Sequence, residues 1–241
     1  MQLFYTKEID DQMAFLSGEE AKHCVKVLRH RVGDEINLMD GLGGNYKASI
    51  IEATKNKVSL RILSHQKTYS HRAGKLHLVV APTKNISRFE WFLEKATEIG
   101  VDEITPILCQ RSERKVVKLE RLEKIILSAA KQSKNTILPS LNPLIKLSAF
   151  FKKETLESTQ KFIAHCEKDN EVHLLEKYQA NQDVIILIGP EGDFSATEIK
   201  NSFENGFAPI SLGSSRLRTE TAGIVACHTI NLLEKANISE K

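Results

Sequence analysis

Residues 184–199 read Val-Ile-Ile-Leu-Ile-Gly-Pro-Glu-Gly-Asp-Phe-Ser-Ala-Thr-Glu-Ile. Five apolar residues in a row, Val184 to Ile188, suit a strand buried on both faces, and such strands belong to parallel sheets covered by helices. Gly189, Pro190 and Gly192 then break the run. Ser195-x-x-Glu198 is a capping box that starts a helix, and Gly206 is placed to close it. A further strand is expected at Pro209 to Leu212. Ligands of open α/β sheets bind beyond the carboxyl ends of strands, so this glycine loop is also a candidate site. It is not a Walker A loop, because no GK[ST] follows, and the chain contains no G-x-G-x-x-G.

The same alternation extends upstream. Leu76 to Ala81 is another apolar run, interrupted only by His77. Ser87-x-x-Glu90 reads as a second capping box, followed by Phe89, Phe92, Leu93 and Ala96 on one helical face and by Gly100 as a terminator. Ile104–Leu108 and Phe162–Cys166 read as strands, Leu119, Leu122, Ile126 and Ala129 as an amphipathic helix, and Thr219–Ala236 as a closing helix. The first 73 residues differ. Ile36 and Leu38, Tyr46, Ala48 and Ile50, and Val58, Leu60 and Ile62 alternate with polar neighbours, the period of half-buried strands. Asp40-Gly41 marks a turn, and one helix is expected from Glu19 to His30. The expectation is an α/β protein of two domains: a small β-barrel over residues 1–73 and a parallel-sheet α/β domain over 74–241. The polar stretch Gln66 to Gly74 would link them.

Composition sets the outer limits. The 241 residues are 41% hydrophobic and 27% charged with a formal charge of +3, which excludes a disulfide scaffold and a disordered chain. No apolar stretch approaches a membrane span, and the start shows no secretory signal. Cys24, Cys109, Cys166 and Cys227 match no metal-ligand spacing, so buried free thiols in a cytoplasmic setting, and no metal, are expected.

A second loop, Leu212-Gly213-Ser214-Ser215-Arg216-Leu217-Arg218-Thr219-Glu220-Thr221-Ala222, again joins a strand to a helix. A helix N-terminus offers free N–H groups and a positive dipole end. Paired with Gly189-Pro190-Glu191-Gly192, it would line one pocket. Basic side chains cluster elsewhere. Lys22, Lys26, Arg29 and Arg31 lie in a stretch without acids, and the first three share one face of an ideal α-helix. Such a stripe suits a phosphate backbone. Arg111, Arg114, Lys115 and Lys118 form a second cluster.

The segments GPEGDFSATEI and LGSSRLRTETA together resemble the RsmE family of SPOUT-superfamily methyltransferases. Pro82-Thr83-Lys84 through Arg88, Glu94 to Val101, Ala130-Lys131-Gln132-Ser133, and His23-x4-Leu28-Arg29 with Val32-Gly33-Asp34 extend the resemblance over nearly the whole chain. It implies a PUA-like RNA-binding N-terminal domain and a C-terminal α/β domain with a deep trefoil knot that forms a pocket for S-adenosyl-L-methionine. It implies a homodimer that methylates N3 of a uridine in 16S rRNA, within the small ribosomal subunit. Cofactor contacts are then expected from Gly189, Pro190, Glu191, Gly192, Leu212, Gly213, Leu217, Arg218 and Thr219. RNA contacts are expected from Lys22, Lys26, Arg29, Arg31, Lys84, Arg88 and Arg111. Arg218 is the candidate catalytic residue, and Glu191 and Glu220 are the carboxylates available as a base. The family usually has glycine where this chain has Asp193.

Two other functions compete: a methyltransferase of the same fold with another target, such as tRNA ribose 2′-O, and a catalytically silent RNA-binding module in ribosome assembly. Intact cofactor motifs disfavour the second, since a pure binder needs no such pocket.

Overall fold

The computed structural model describes residues 2–68, 72–153, 159–167 and 172–239. Part of the expected linker, residues 69–71, lies outside them. The chain divides into two compact units, one of Met1–Ser70 with Leu127–Leu138 and one of His71–Ile126 with Pro139–Lys241.

The first unit holds β1 (Leu3–Tyr5), β2 (Met13–Ser17), α1 (Gly18–Lys22), β3 (Glu35–Met39), β4 (Gly44–Ala53) and β5 (Lys57–Lys67). The strands hydrogen-bond in the order β1-β3-β4-β5-β2, with only β1 and β3 parallel. The expected barrel takes the form of this curled sheet, a half-barrel. Period-two burial puts Leu16, Leu38, Ile50 and Leu60 inside with Phe4 and Cys24. The Asp40 turn is built by its own carboxylate. Oδ1 accepts the Leu42 and Gly44 amides at 2.7 and 2.9 Å, and Tyr46 Oη donates to Oδ2.

The helix expected from Glu19 to His30 is shorter and changes pitch. After α1 the backbone forms a π-helical turn, His23–Val27, and Arg29 takes φ +58°. The wider turn breaks the 3.6-residue period, so Lys22, Lys26 and Arg29 do not form an α-helical stripe. Asp34 holds the exit by accepting the Arg31 amide at 2.9 Å.

The second unit runs β6 (Leu76–Val80), α2 (Ile86–Ile99), β7 (Glu103–Leu108), the first half of α3 (Leu119–Ser133), β8 (Ser140–Leu141), β9 (Ile145–Lys146), α4 (Leu147–Lys153), β10 (Gln160–Ala164), α5 (Leu174–Lys177), β11 (Val184–Ile188), α6 (Ala196–Glu204), β12 (Ala208–Ile210) and α7 (Thr219–Ser239). The strands are parallel in the order β12-β10-β11-β6-β7-β8, with β9 also on β7. β6 and β11 are buried along their whole length, as suits the unbroken apolar run of β11 and the run of β6 that only His77 interrupts.

The Ser195 capping box forms with both of its bonds. The Ser87 box does not. Asn85 caps α2 instead, accepting the Ser87 amide at 3.1 Å, and Glu90 pairs with Arg121 at 2.6 Å. Gly100 ends α2 at φ +110°, a conformation glycine adopts at least cost. Nearby, the Arg72 guanidinium pairs with Asp102 and also reaches Asn231 on α7. Three cysteines are buried, but Cys166 is exposed, because β10 ends two residues before it. Among the described residues no helix is long and apolar enough to cross a membrane.

His77 is the buried titratable group of this sheet. Its Nε2 lies 2.7 Å from Thr105 Oγ1, and burial pushes its pKa below the ordinary 6.5, with Glu103 opposing. The unfolded chain therefore binds a proton that the folded chain refuses. Stability is full above about pH 6.5 and falls as the pH drops below it. A melting series from pH 7.5 to 5 should show that decline, and His77→Gln should flatten it.

Candidate functional site

Since β10 is flanked by β11 and β12, all parallel, three strands deliver their carboxyl ends to one edge. The loops that leave them enclose a cleft of about 640 Å³, a size that suits a nucleoside-sized ligand. Gly189, Pro190 and Glu191 contribute from the loop after β11, and Leu212, Gly213, Leu217, Arg218 and Thr219 from the loop after β12. The third wall, His165, Cys166 and Glu167 after β10, was not expected as part of a site. The strand-end rule applies to β10 as much as to β11, and a histidine and a carboxylate directly beyond an apolar strand were the available signal.

Gly192 lies outside the lining. A Cβ there would stand 3.2 Å from Arg111 Cβ, so this glycine accommodates a neighbouring side chain. Arg111, expected on RNA, spends its guanidinium on the loop: Nη1 donates to the carbonyls of Gly192 and Phe194 at 3.0 and 3.2 Å. Arg114 does the same for the loop after β6, donating to Thr83 and Lys84 carbonyls. Lys84 pairs through Nζ with Glu113 at 2.7 Å, and its amide donates to Glu191 Oε1 at 2.9 Å. One oxygen of a candidate base is thus already occupied by structure.

The two motif loops are joined directly. Thr219 is buried, and its hydroxyl donates to the Gly189 carbonyl at 3.0 Å. Gly213, at φ +133° with open space around its α-carbon, lets the second loop turn without a side chain filling the cleft. Arg218 immediately precedes α7, and its carbonyl accepts the Ala222 amide at 2.8 Å. Its side chain is exposed at the cleft and makes no hydrogen bond or ion pair among the described residues. Glu220 sits in the first turn of α7, where the helix dipole favours a carboxylate. It is buried, Oε2 has no partner among the described residues, and Arg88 Nε lies 3.8 Å from Oε1. Among the described residues no cluster of histidine, cysteine or acidic side chains could hold a metal.

A family model described as an RNA methyltransferase domain matches residues 70–231, and one described as an RNA methyltransferase PUA domain matches residues 16–63. The ribosomal RNA small subunit methyltransferase E of Rickettsia conorii is 31% identical over 90% of this chain and 89% of its own. The chain belongs to the RsmE family of RNA methyltransferases.

Solved structures agree in fold. A probable rRNA methyltransferase from Porphyromonas gingivalis superposes with a TM-score of 0.90 at 38% identity, covering 98% of this chain and 100% of that one. A ribosomal RNA small subunit methyltransferase E from Neisseria gonorrhoeae, bound to S-adenosyl methionine, gives 0.84 at 28% identity over 97% and 98%. The RsmE fold also gives Asp193 a context. It adopts φ +63°, a region where glycine is least strained and aspartate is tolerated. Glycine, which the family resemblance implies at this place, would meet the same backbone requirement at less strain.

Proposed function

We propose that this chain transfers a methyl group from S-adenosylmethionine to N3 of a uridine in 16S rRNA of the small ribosomal subunit, acting in the cytoplasm as a homodimer. The observation that carries the reading is the cleft: both motif loops line it and are tied by the Thr219–Gly189 bond. Its lining fits the cofactor chemically. Ile188, Leu212, Leu217 and Ala222 offer apolar surface for an adenine, and Glu167 and Glu191 offer carboxylates for a cationic ligand. The sulfonium methyl is the electrophile that the bound cofactor supplies. The trefoil knot implied by the family resemblance is part of this proposal.

The chain's own task is alignment and charge control. Uracil N3 loses its proton on the way to reaction, and the charge spreads to O2 and O4. Arg218 is a fixed cation with a planar donor fork at the cleft, suited to those oxygens. Glu191 and Glu220 remain the carboxylates for the proton. Thr219, Arg111 and Arg114 hold the loops in place.

Mass mapping of rRNA from a deletion strain tests the reading. Loss of a single 3-methyluridine, restored by this chain, is expected. Loss of a tRNA ribose methyl group would move the target, and an unchanged modification set would remove the activity.

The RNA grip is proposed for Lys22, Lys26, Arg29 and Arg31, all exposed, with Lys84 and Arg88. Replacing the first four by neutral residues should weaken RNA binding. The slope of log K against log salt should fall by about 0.7–0.9 for every phosphate no longer neutralised. S-adenosylmethionine affinity should stay as it was. An unaltered salt slope would make them a solvated face.

A further inference from the structure

Two of the three loops around the cleft are tied by Thr219 to Gly189. The third, after β10, is tied by a different device. Asp193 stands in the left-handed region, with its amide donating to the Pro190 carbonyl at 2.9 Å. That tight turn aims the carboxylate across the cleft's edge. Oδ2 accepts the Cys166 amide at 2.9 Å, and Oδ1 accepts the Phe194 amide at 2.8 Å. Asp193 and Cys166 both line the cleft, as do their neighbours His165, Glu167 and Glu191. The Cys166 thiol registers the proximity: burial, and next the Asp193 charge, raise its pKa, while Arg216 opposes.

We propose that Asp193 is a positioning residue for the cofactor, a clamp that fastens the loop after β10 to the loop after β11 and so fixes the third wall of the cleft. The assignment rests on the reading that this cleft takes S-adenosylmethionine. The segment His165–Glu167 follows the last strand pairing of β10, and this charge-assisted bond, stronger than a neutral one, fastens it to the neighbouring loop. Without it the segment samples conformations that must be frozen out again when a ligand binds, and that ordering lowers affinity. Asparagine tolerates the same backbone conformation and keeps one oxygen acceptor. Glycine tolerates it better and keeps none.

Three proteins decide the matter: wild type, Asp193→Gly and Asp193→Asn. Both variants suit φ +63°, so all three should fold, which a thermal melt confirms. The first measurement needs no ligand. Amide hydrogen exchange at Cys166 should be roughly tenfold faster in Asp193→Gly, the effect of losing one charge-assisted bond, and intermediate in Asp193→Asn, which keeps a neutral acceptor. Calorimetry follows with S-adenosylmethionine and with its uncharged-sulfur product, S-adenosylhomocysteine. Asp193→Gly should bind both about tenfold more weakly, and Asp193→Asn should recover part of the loss for both.

A loss confined to S-adenosylmethionine and equal in the two variants would make Asp193 a counter-charge to the sulfonium and overturn the clamp. Equal affinities, or equal exchange at Cys166 in all three proteins, would overturn it as well. A wild-type chain that binds neither compound would sink the reading of the cleft, and the exchange rates would still decide whether the tie between the loops exists.

Discussion

Arg218→Ala should lower kcat for methyl transfer by roughly 10²-fold or more, the effect of removing one donor that meets developing charge. KM for RNA should move far less. The side chain stands at the start of α7, exposed at the cleft and free of any hydrogen bond or ion pair among the described residues. Arg216 lines the same cleft and is likewise without a hydrogen bond or ion pair among the described residues, whereas the other cations nearby are occupied. Arg111 and Arg114 hold backbone carbonyls, Arg88 faces the buried Glu220, and Lys84 pairs with Glu113. An arginine with no structural partner has nothing in the fold to lose, so its removal should leave the melting temperature unchanged. A contact that strengthens only in the transition state appears in kcat, and a uniform contact appears in KM. A raised KM for RNA with kcat intact would make Arg218 a phosphate anchor. If neither parameter moves, its catalytic assignment fails, and Glu220 becomes the first residue to test. Its Oε2 has no hydrogen-bond partner among the described residues, whereas Glu191 already accepts the Lys84 amide.

The parallel sheet was legible because its central strands are fully buried, and full burial leaves a mark in sequence: an apolar run, unbroken in Val184–Ile188 and interrupted only by His77 in Leu76–Val80. The capping box at Ser195 was legible because both partners lie within four residues. The box at Ser87 misled for the same reason. The pattern was present, but Asn85 offered a better cap two residues earlier, and Glu90 was drawn to Arg121, far away in sequence. β8 and β9 hold two residues each and carry no period to read. The π-helical turn at His23–Val27 was invisible, since hydropathy does not report which carbonyl an amide chooses. The candidate site divides similarly. Glycines and a helix start marked two loops, whereas the wall after β10 carries no glycine. A basic residue such as Arg111 shows in sequence that it is cationic, not whether it reaches a phosphate or a backbone carbonyl.

Gly223→Val should be strongly damaging to the packing of α7. A Cβ at Gly223 would lie 2.5 and 2.8 Å from Phe92 Cε2 and Cδ2 on α2. Phe92 is fully buried and packs on Phe89 with ring centroids 5.7 Å apart, so it has little room to retreat. Replacing glycine inside a helix ordinarily gains up to about 1 kcal/mol from propensity. Overpacking costs roughly 1–3 kcal/mol, and valine adds two methyl groups beyond the clashing Cβ, which places it at the upper end. The expected net loss is about 2 kcal/mol, or roughly 4–8 °C in Tm for a chain of this size. Alanine should come closer to neutral, because propensity offsets a single close approach. The damage should also reach the cleft. Gly223 lies one turn along the helix that carries Thr219, whose bond to Gly189 joins the two motif loops, so Gly223→Val should weaken S-adenosylmethionine binding as well. Phe92→Leu is the decisive companion. If the clash is the cause, the double variant should recover stability and affinity that neither single variant has, a coupling read from a double-mutant cycle. Additive losses would show that Gly223 is needed for some other reason than the close approach of α2 and α7.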